Sequence, residues 1–346
     1  MEPAEARGYL QGLLRGAREF TCVAAGINAG LFDAIGRHGE VGVEPEALAQ
    51  ELTYFTDYVR VWCQTAYALR LLDLVDGHRF RLGGELGPLL DPEAPGSLVT
   101  SFRLRALGVQ EQLDLPELLR TGAVRPRSEN RQRANVRAES RSRDAERSRV
   151  AQIYRSLPAV ADRLGQGGRL LEVGCGTGAL LQVLAEEFPA ATFVGIDLDG
   201  LAIEVGAREA AASPWAGRIR LEARGAHEID FREEFDLVSL NIVLHELLPD
   251  IRPRAVSNMW RALRPGGVLI SNDMYYPSRL EDFRRPEHLN AIHDQAMEVV
   301  WGHRHLTREQ LAELFGACGF RRSEFHVITL TGAMGENPQL TALAFK

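Results

Sequence analysis

Leu170-Leu171-Glu172-Val173-Gly174-Cys175-Gly176-Thr177-Gly178 is the stretch on which the fold turns. A short apolar run meets three glycines at alternate positions. A helical pattern follows, with Leu180, Leu181, Leu184 and Phe188 on one face. Strand, glycine-rich turn and helix together open a nucleotide-binding βαβ unit. Gly174 and Gly176 let the backbone turn tightly and approach a ligand, and Gly178 allows close helix packing. Outward from this stretch the alternation continues. Residues 192–196, 219–222, 235–240 and 268–271 read as further strands. The helix before the last of these stops at Arg264-Pro265-Gly266-Gly267, and Thr307-Arg308-Glu309-Gln310 opens the final helix with a capping box. Residues 325–329 and 339–345 read as an antiparallel pair at the sheet edge, joined by a Gly-rich turn. The expectation is an α/β, Rossmann-like domain over 161–346, with a parallel sheet covered by helices on both faces.

The first half reads differently. Val59, Trp62, Ala66 and Leu69 give one apolar face to a helix over 57–72, and Asp76-Gly77 marks a turn between two short strands. Helices followed by a hairpin wing suggest a winged-helix domain over 1–105. A DNA-reading helix needs a polar face aimed at base edges. This one carries Arg60 and Arg70 but is dominated by Tyr58, Trp62, Tyr67 and aliphatics, so packing or dimerisation is the better expectation. Phe20, Val23, Ile27, Leu31 and Phe32 offer apolar surface for a homodimer. Residues 106–160 form a helical, arginine-rich linker or lid. Within 120–149, Arg125, Arg127, Arg131, Arg133, Arg137, Arg141, Arg143, Arg147 and Arg149 alternate with Glu129, Glu139, Asp144 and Glu146. A solvated helix with internal ion pairs is favoured over a cationic lid.

Composition narrows the class. At 346 residues, two domains are expected, and 45% hydrophobic with 25% charged residues is ordinary for a soluble protein. A net charge of −7 does not favour nucleic acid. Cys22, Cys63, Cys175 and Cys318 lack metal-ligand or disulfide spacing. No signal core opens the chain and no apolar run is long enough to cross a membrane, so a reduced, cytoplasmic enzyme is expected.

Val194-Gly195-Ile196-Asp197 places a carboxylate at the end of the second strand, suited to ribose hydroxyls. To this point a dinucleotide enzyme and a methyltransferase compete. Glu172 to Gly178, however, resembles motif I of class I S-adenosylmethionine (SAM)-dependent methyltransferases. Phe235-Asp236-Leu237-Val238 and Leu263-Arg264-Pro265-Gly266-Gly267 continue the resemblance in order. It implies SAM as cofactor, held by Glu172, Gly174, Cys175, Gly176, Gly178, Asp197 and Asn241. Beyond the third strand, the family's acid for the adenine amino group is replaced by Gly225-Ala226-His227, leaving backbone or His227 for that contact.

Taken whole, the chain resembles small-molecule O-methyltransferases of the caffeate and hydroxyindole type, which join a winged-helix dimerisation domain to this cofactor fold. The resemblance implies a small-molecule acceptor, oxygen ahead of carbon or nitrogen, in secondary metabolism. It implies His245, in Val243-Leu244-His245-Glu246-Leu247, as the general base. An imidazole titrating near neutrality suits a phenol or enol proton. Asp273 falls at the family's first flanking acid. At the second acid stands His305, and Leu306 replaces the arginine that follows it in the family. His288, His293, His303 and His305 cluster here, which opens a second possibility. His245, His293 and His305 could hold a metal for C-methylation of an enolisable 2-oxo acid. A third is a SAM-binding winged-helix regulator. No metal is favoured.

Overall fold

The computed structural model describes residues 2–346 except 92, 93, 95, 96, 113, 114, 127, 130, 134, 135, 137–142, 333 and 334. The side chains of 143–149, 331, 332 and 335 are likewise not described. The chain divides into two compact units, Met1–Gln110 and Glu111–Lys346.

In the first unit, helices Pro3–Asn28, Leu31–Arg37, Pro45–Leu52 and Thr56–Ala68 precede a hairpin of β1 (Leu72–Val75) and β2 (Arg79–Leu82). Asp76 and Gly77 both have positive φ (51° and 78°), the type I′ geometry that matches the strands' twist. Val59, Cys63 and Ala66 bury one face of the fourth helix. That helix stops four residues short of the expected Leu72. Arg70 turns left-handed (φ 61°), Leu71 N–H returns to the Ala66 carbonyl, and Leu72 already pairs with Leu82. Val23, Ile27, Leu31 and Phe32, expected at a subunit interface, lie in this unit's own core, while Phe20 stacks on Phe102. The apolar residues left outside include Tyr9, Leu10, Leu13 and Leu14 on the first helix, with Phe55, Tyr58 and Val61 around the fourth. Arg60 is tied to Glu46 and Asp57.

The second unit is built on a seven-stranded sheet. Its strands are β3 (Arg169–Val173), β4 (Thr192–Asp197), β5 (Ile219–Ala223), β6 (Phe235–Asn241), β7 (Leu263–Met274), β8 (Arg322–Gly332) and β9 (Gly335–Phe345), in the order β5-β4-β3-β6-β7-β9-β8. Pairing is parallel from β5 through β7, and β9 runs antiparallel to both its neighbours. Period-two alternation sends Leu170, Phe193, Leu237 and Val268 to one face, and Leu171, Val194, Val238 and Leu269 to the other. Both faces are covered, which is why these strands read as continuous apolar runs. Helices Arg143–Ser156, Pro158–Gly165 and Ala179–Glu187 cover the first face. Arg252–Ala262 and Arg308–Ala317 cover the second, the latter opened by the expected Thr307–Gln310 capping box.

β7 differs from expectation. Arg264-Pro265-Gly266-Gly267 lies within the strand as a bulge: Leu263 already pairs with Phe235, the register shifts before Leu237, and Gly266 takes φ 77°. At the other end of β7, Asp273 pairs with Leu340 of β9. Asn272 there exchanges side-chain hydrogen bonds with Gln339 (3.2 Å) and Thr341 (2.7 Å).

The arginine-rich stretch is only partly a solvated helix. Arg133 makes the expected i,i+4 pair with Glu129, but Arg131 is buried, bonded to Glu111 at 2.6 Å and set over the Trp301 ring. Arg127, Arg137, Glu139 and Arg141 lie outside the described residues. Among the described residues no helix is long and apolar enough to cross a membrane.

Candidate active site

Strand order reverses between β3 and β6, so the connections leaving their C-terminal ends diverge and open a crevice. On the β3 side, Gly174 and Gly176 have φ 72° and 54°, the left-handed region that favours glycine. A Cβ on Gly174 would lie 2.5 Å from Val243 Cγ2. Gly174 and Cys175 donate their N–H groups to the Ile196 carbonyl, which locks the turn to β4. Gly178 serves differently from expectation. It is the left-handed N-cap of the following helix and faces Leu221 of β5. The close helix approach belongs to Gly206, where a Cβ would fall 2.2 Å from the Thr177 carbonyl oxygen.

Asp197 closes β4. Its Oδ2 accepts from Gly176 N–H and its Oδ1 from Asp199 N–H, both at 2.8 Å. Burial raises its pKa against these bonds. Each oxygen keeps a second lone pair for a ribose hydroxyl. Asn241, at the end of β6, donates to Glu172 Oε1 (3.2 Å) and the Tyr154 hydroxyl (2.7 Å). Its own Oδ1 is buried without a partner, an acceptor awaiting a donor such as an ammonium. An open glycine turn, a carboxylate and an orphaned amide oxygen on one crevice fit SAM. His227, the adenine-side candidate, sits in the turn Ala226–Glu228, its carbonyl accepting from Asn258.

The second cluster starts from a strained residue. Ile242, β-branched, takes φ 55°, with its N–H on the Asn272 carbonyl. This turns the chain after β6 so that Val243 meets Gly174 and His245 meets Asp273. His245 Nδ1 lies 2.9 Å from both Asp273 oxygens, and its backbone N–H reaches Oδ2 at 3.3 Å. His305 stacks on His245 with ring centroids 4.1 Å apart, and its Nδ1 is 3.5 Å from Asp273 Oδ1. His305 Nε2 is bonded to Asp294 at 2.9 Å, and its backbone N–H to Gln295 Oε1 at 2.6 Å. Tyr276 continues the stack on the far side of His305.

Charge is unevenly shared. Burial disfavours a cation on His305, but Asp273 and Asp294 outweigh it and hold its pKa at about 9. On His245, burial and the His305 charge oppose Asp273, and the pKa is still raised. Asp273, though buried, is held well below the usual carboxylate range by the two histidines. Both imidazoles are nearly sealed, each side chain 1% exposed, and His305 borders a cleft of about 490 Å³.

The structure therefore brings together His245, Asp273 and His305, but not His293, which is exposed. The helix Leu289–Glu298 reaches His305 through the adjacent Asp294 instead. Asp294, Gln295 and Glu298 fall at i, i+1 and i+4, opposite His303 and His305 at alternate positions of an extended segment. That juxtaposition of two periods was the signal available for Asp294. Arg252 was also missed. Buried behind the site, its Nη2 donates to the carbonyls of His245, Leu247 and Arg304, at 2.9–3.2 Å.

Residues 171–269 match a family model described as a methyltransferase domain. The ubiquinone/menaquinone biosynthesis C-methyltransferase of Geotalea daltonii is 26% identical over 198 residues, 52% of this chain and 82% of that protein. Among solved structures, PigF with SAH superposes with a TM-score of 0.78 at 16% identity, covering 100% of both chains. Human N-acetylserotonin methyltransferase in complex with SAM gives 0.72 at 17% identity, over 100% of this chain and 99% of that one.

Proposed function

Because this chain is a SAM-dependent methyltransferase of the class I fold, we propose that it methylates a hydroxyl of a small molecule, with His245 as general base. The observation that carries this reading is the His245–Asp273 pair, set at the adjoining ends of β6 and β7 beside the cofactor turn. SAM supplies a methyl group already activated by its sulfonium. The residues then have two tasks: align the acceptor oxygen and take its proton. Asp273, bonded to Nδ1, orients the His245 ring, leaves Nε2 as the acceptor and stabilises the imidazolium that forms. His305 stays protonated at neutral pH and so cannot share the base role. Its charge lowers the cost of forming an alkoxide or phenolate nearby.

His245→Ala should cost ~10²–10⁴-fold in turnover at unchanged SAM affinity, with a smaller loss for His305→Ala. A larger loss in the His305 variant would reverse the assignment. One observation favours a second reading, metal-assisted C-methylation: donor atoms of His245, Asp294 and His305 lie within 4.8 Å of one another. This set would hold a divalent ion between two imidazoles and a carboxylate, with Asp294 in place of His293. Stoichiometric metal in active protein, lost with activity on chelation, would establish it.

The helices and hairpin of the first unit support a winged-helix reading, and the exposed stripe of its first helix supports a homodimer. Ion pairing of Arg60 with Glu46 and Asp57 weighs against the regulator reading, because it occupies the helix's first cation.

A further inference from the structure

Helix Arg143–Ser156 closes the arginine-rich segment, and its last turn carries a phenol into an apolar layer. Tyr154 is fully buried, beside Ala151, Ile153 and Leu157 in the core that covers the first face of the sheet. A hydroxyl in such a layer is costly unless it is hydrogen-bonded. By the period-two count, Glu172 and Asn241 share the sheet face of Leu170 and Leu237. Two polar side chains near the C-terminal ends of β3 and β6 therefore lie beneath this helix. Tyr154 meets them there, its hydroxyl accepting from Asn241 Nδ2 at 2.7 Å. Burial, and after it the charge of Glu172, pushes the phenol's pKa up, so it stays neutral.

The Asn241 amide fits these neighbours in one orientation only. Glu172 Oε1 accepts from Nδ2 at 3.2 Å, and a carboxylate is an acceptor alone, so a flipped amide would set oxygen against oxygen. Both Nδ2 protons are then used, one on Glu172 and one on Tyr154. Oδ1 is left as the buried acceptor without a partner. The last torsion of an asparagine is soft, and a single bond would let the amide plane swing. A second bond, from a ring fixed in the core, holds the plane. The next residue secures the helix itself: Arg155 Nη1 pairs with Glu187 Oε1 at 2.7 Å, on the helix that follows the glycine turn.

We propose that Tyr154 is a positioning residue for the cofactor: by taking the second amide proton of Asn241 it holds Oδ1 for the ammonium of SAM's methionine moiety. The end of the arginine-rich segment thereby becomes part of the cofactor site. This rests on the cofactor placement above and not on the identity of the methyl acceptor. Losing the neutral bond that steadies Asn241 should weaken binding of an ammonium ligand by ~3–10-fold. Losing the acceptor itself should weaken it by ~10–100-fold, the range for a hydrogen bond to a charged group.

The test separates the ammonium from the rest of the ligand. Full-chain wild type, Tyr154→Phe, Asn241→Ala and the double variant are titrated calorimetrically with three compounds. S-adenosylhomocysteine carries ammonium and carboxylate, S-adenosyl-3-thiopropylamine keeps only the ammonium, and 5′-methylthioadenosine lacks both. Tyr154→Phe retains the ring and its packing. It should weaken the first two ligands by ~3–10-fold and leave the third unchanged. Asn241→Ala should show the same pattern more strongly, and adding Tyr154→Phe to it should cost nothing further. A loss shared by all three ligands would make Tyr154 a packing residue and overturn the proposal. So would no loss for any ligand, or losses that add in the double variant. If Asn241→Ala does not separate the ammonium ligands from methylthioadenosine, the cofactor placement falls with it. If Asn241→Ala separates them and Tyr154→Phe does not, only the role of Tyr154 falls.

Discussion

Asp294→Asn isolates one charge in the histidine cluster while keeping its hydrogen bond, since the amide oxygen can still accept from His305 Nε2. In the native protein, His305 rises from 6.5 to about 9 with two carboxylates beside it. That rise corresponds to about 3 kcal/mol favouring the imidazolium in the folded state. The folded pKa lies above the unfolded one, so this stabilisation is complete below pH 6.5 and is lost as pH rises through 9. Asp294 is one of the two carboxylates, and because the burial penalty remains when its charge is removed, the loss should exceed half of that, about 2 kcal/mol. Two measurements follow the change. NMR of the imidazole resonances should move the His305 titration toward neutrality. Denaturant unfolding from pH 6 to 9.5 should show wild type losing about 3 kcal/mol across the window and the variant less than half as much. An unmoved His305 titration, or the same decline in stability for both proteins, would refute the claim that Asp294 holds the charge on His305.

Asp197→Ala should weaken SAM binding by about 10-fold or more in calorimetry, since a half-buried carboxylate acceptor is lost; unchanged affinity would misplace the cofactor. Gly206→Ala should destabilise by ~1–3 kcal/mol in thermal unfolding and weaken SAM binding together, because the added methyl must displace the Thr177 carbonyl. Arg252→Met should lower the melting temperature and shift the pH profile of kcat while sparing SAM affinity, since three carbonyls beside His245 and Arg304 lose their donor; a profile that stays put would leave Arg252 a purely structural role. Leu10→Asp with Leu14→Asp should leave a folded monomer by light scattering if the exposed stripe is a subunit interface.

Much of the second unit was legible because period and punctuation agreed: apolar strands, glycines at a forced turn, a capping box and an acid ending β4. The first helix misled because burial cannot be assigned from apolarity alone. Val23, Ile27, Leu31 and Phe32 satisfy the unit's own core, and the uncovered residues of the first helix, Tyr9 to Leu14, lie about two and a half to four turns before Val23. The site was half legible. His245, Asp273 and His305 stand at chain positions that the resemblance marks. Asp294 and Arg252 act through tertiary approach, one across from a neighbouring helix and the other through backbone carbonyls that no sequence pattern displays. His293 is the more conspicuous residue in the sequence, but a helix presents only one of two adjacent residues to a given point, and here that residue is Asp294.

The interposition of β9 between β7 and β8 constrains the order in which the working protein can be made. Asp273 is framed by Leu340, and Asn272 by Gln339, 67 positions further along the chain. On the ribosome, β3 to β7 can emerge and associate while the outer edge of β7 remains bare, and β8, synthesised next, has no strand to join. Only when β9 has followed can it enter the gap, cover that edge and give β8 its place. The nascent protein therefore holds its cofactor cradle, His245 and Asp273 before the strand that frames them, and a ribosome stalled beyond β7 but short of β9 should display a chain that captures SAM but transfers far more slowly than the finished protein.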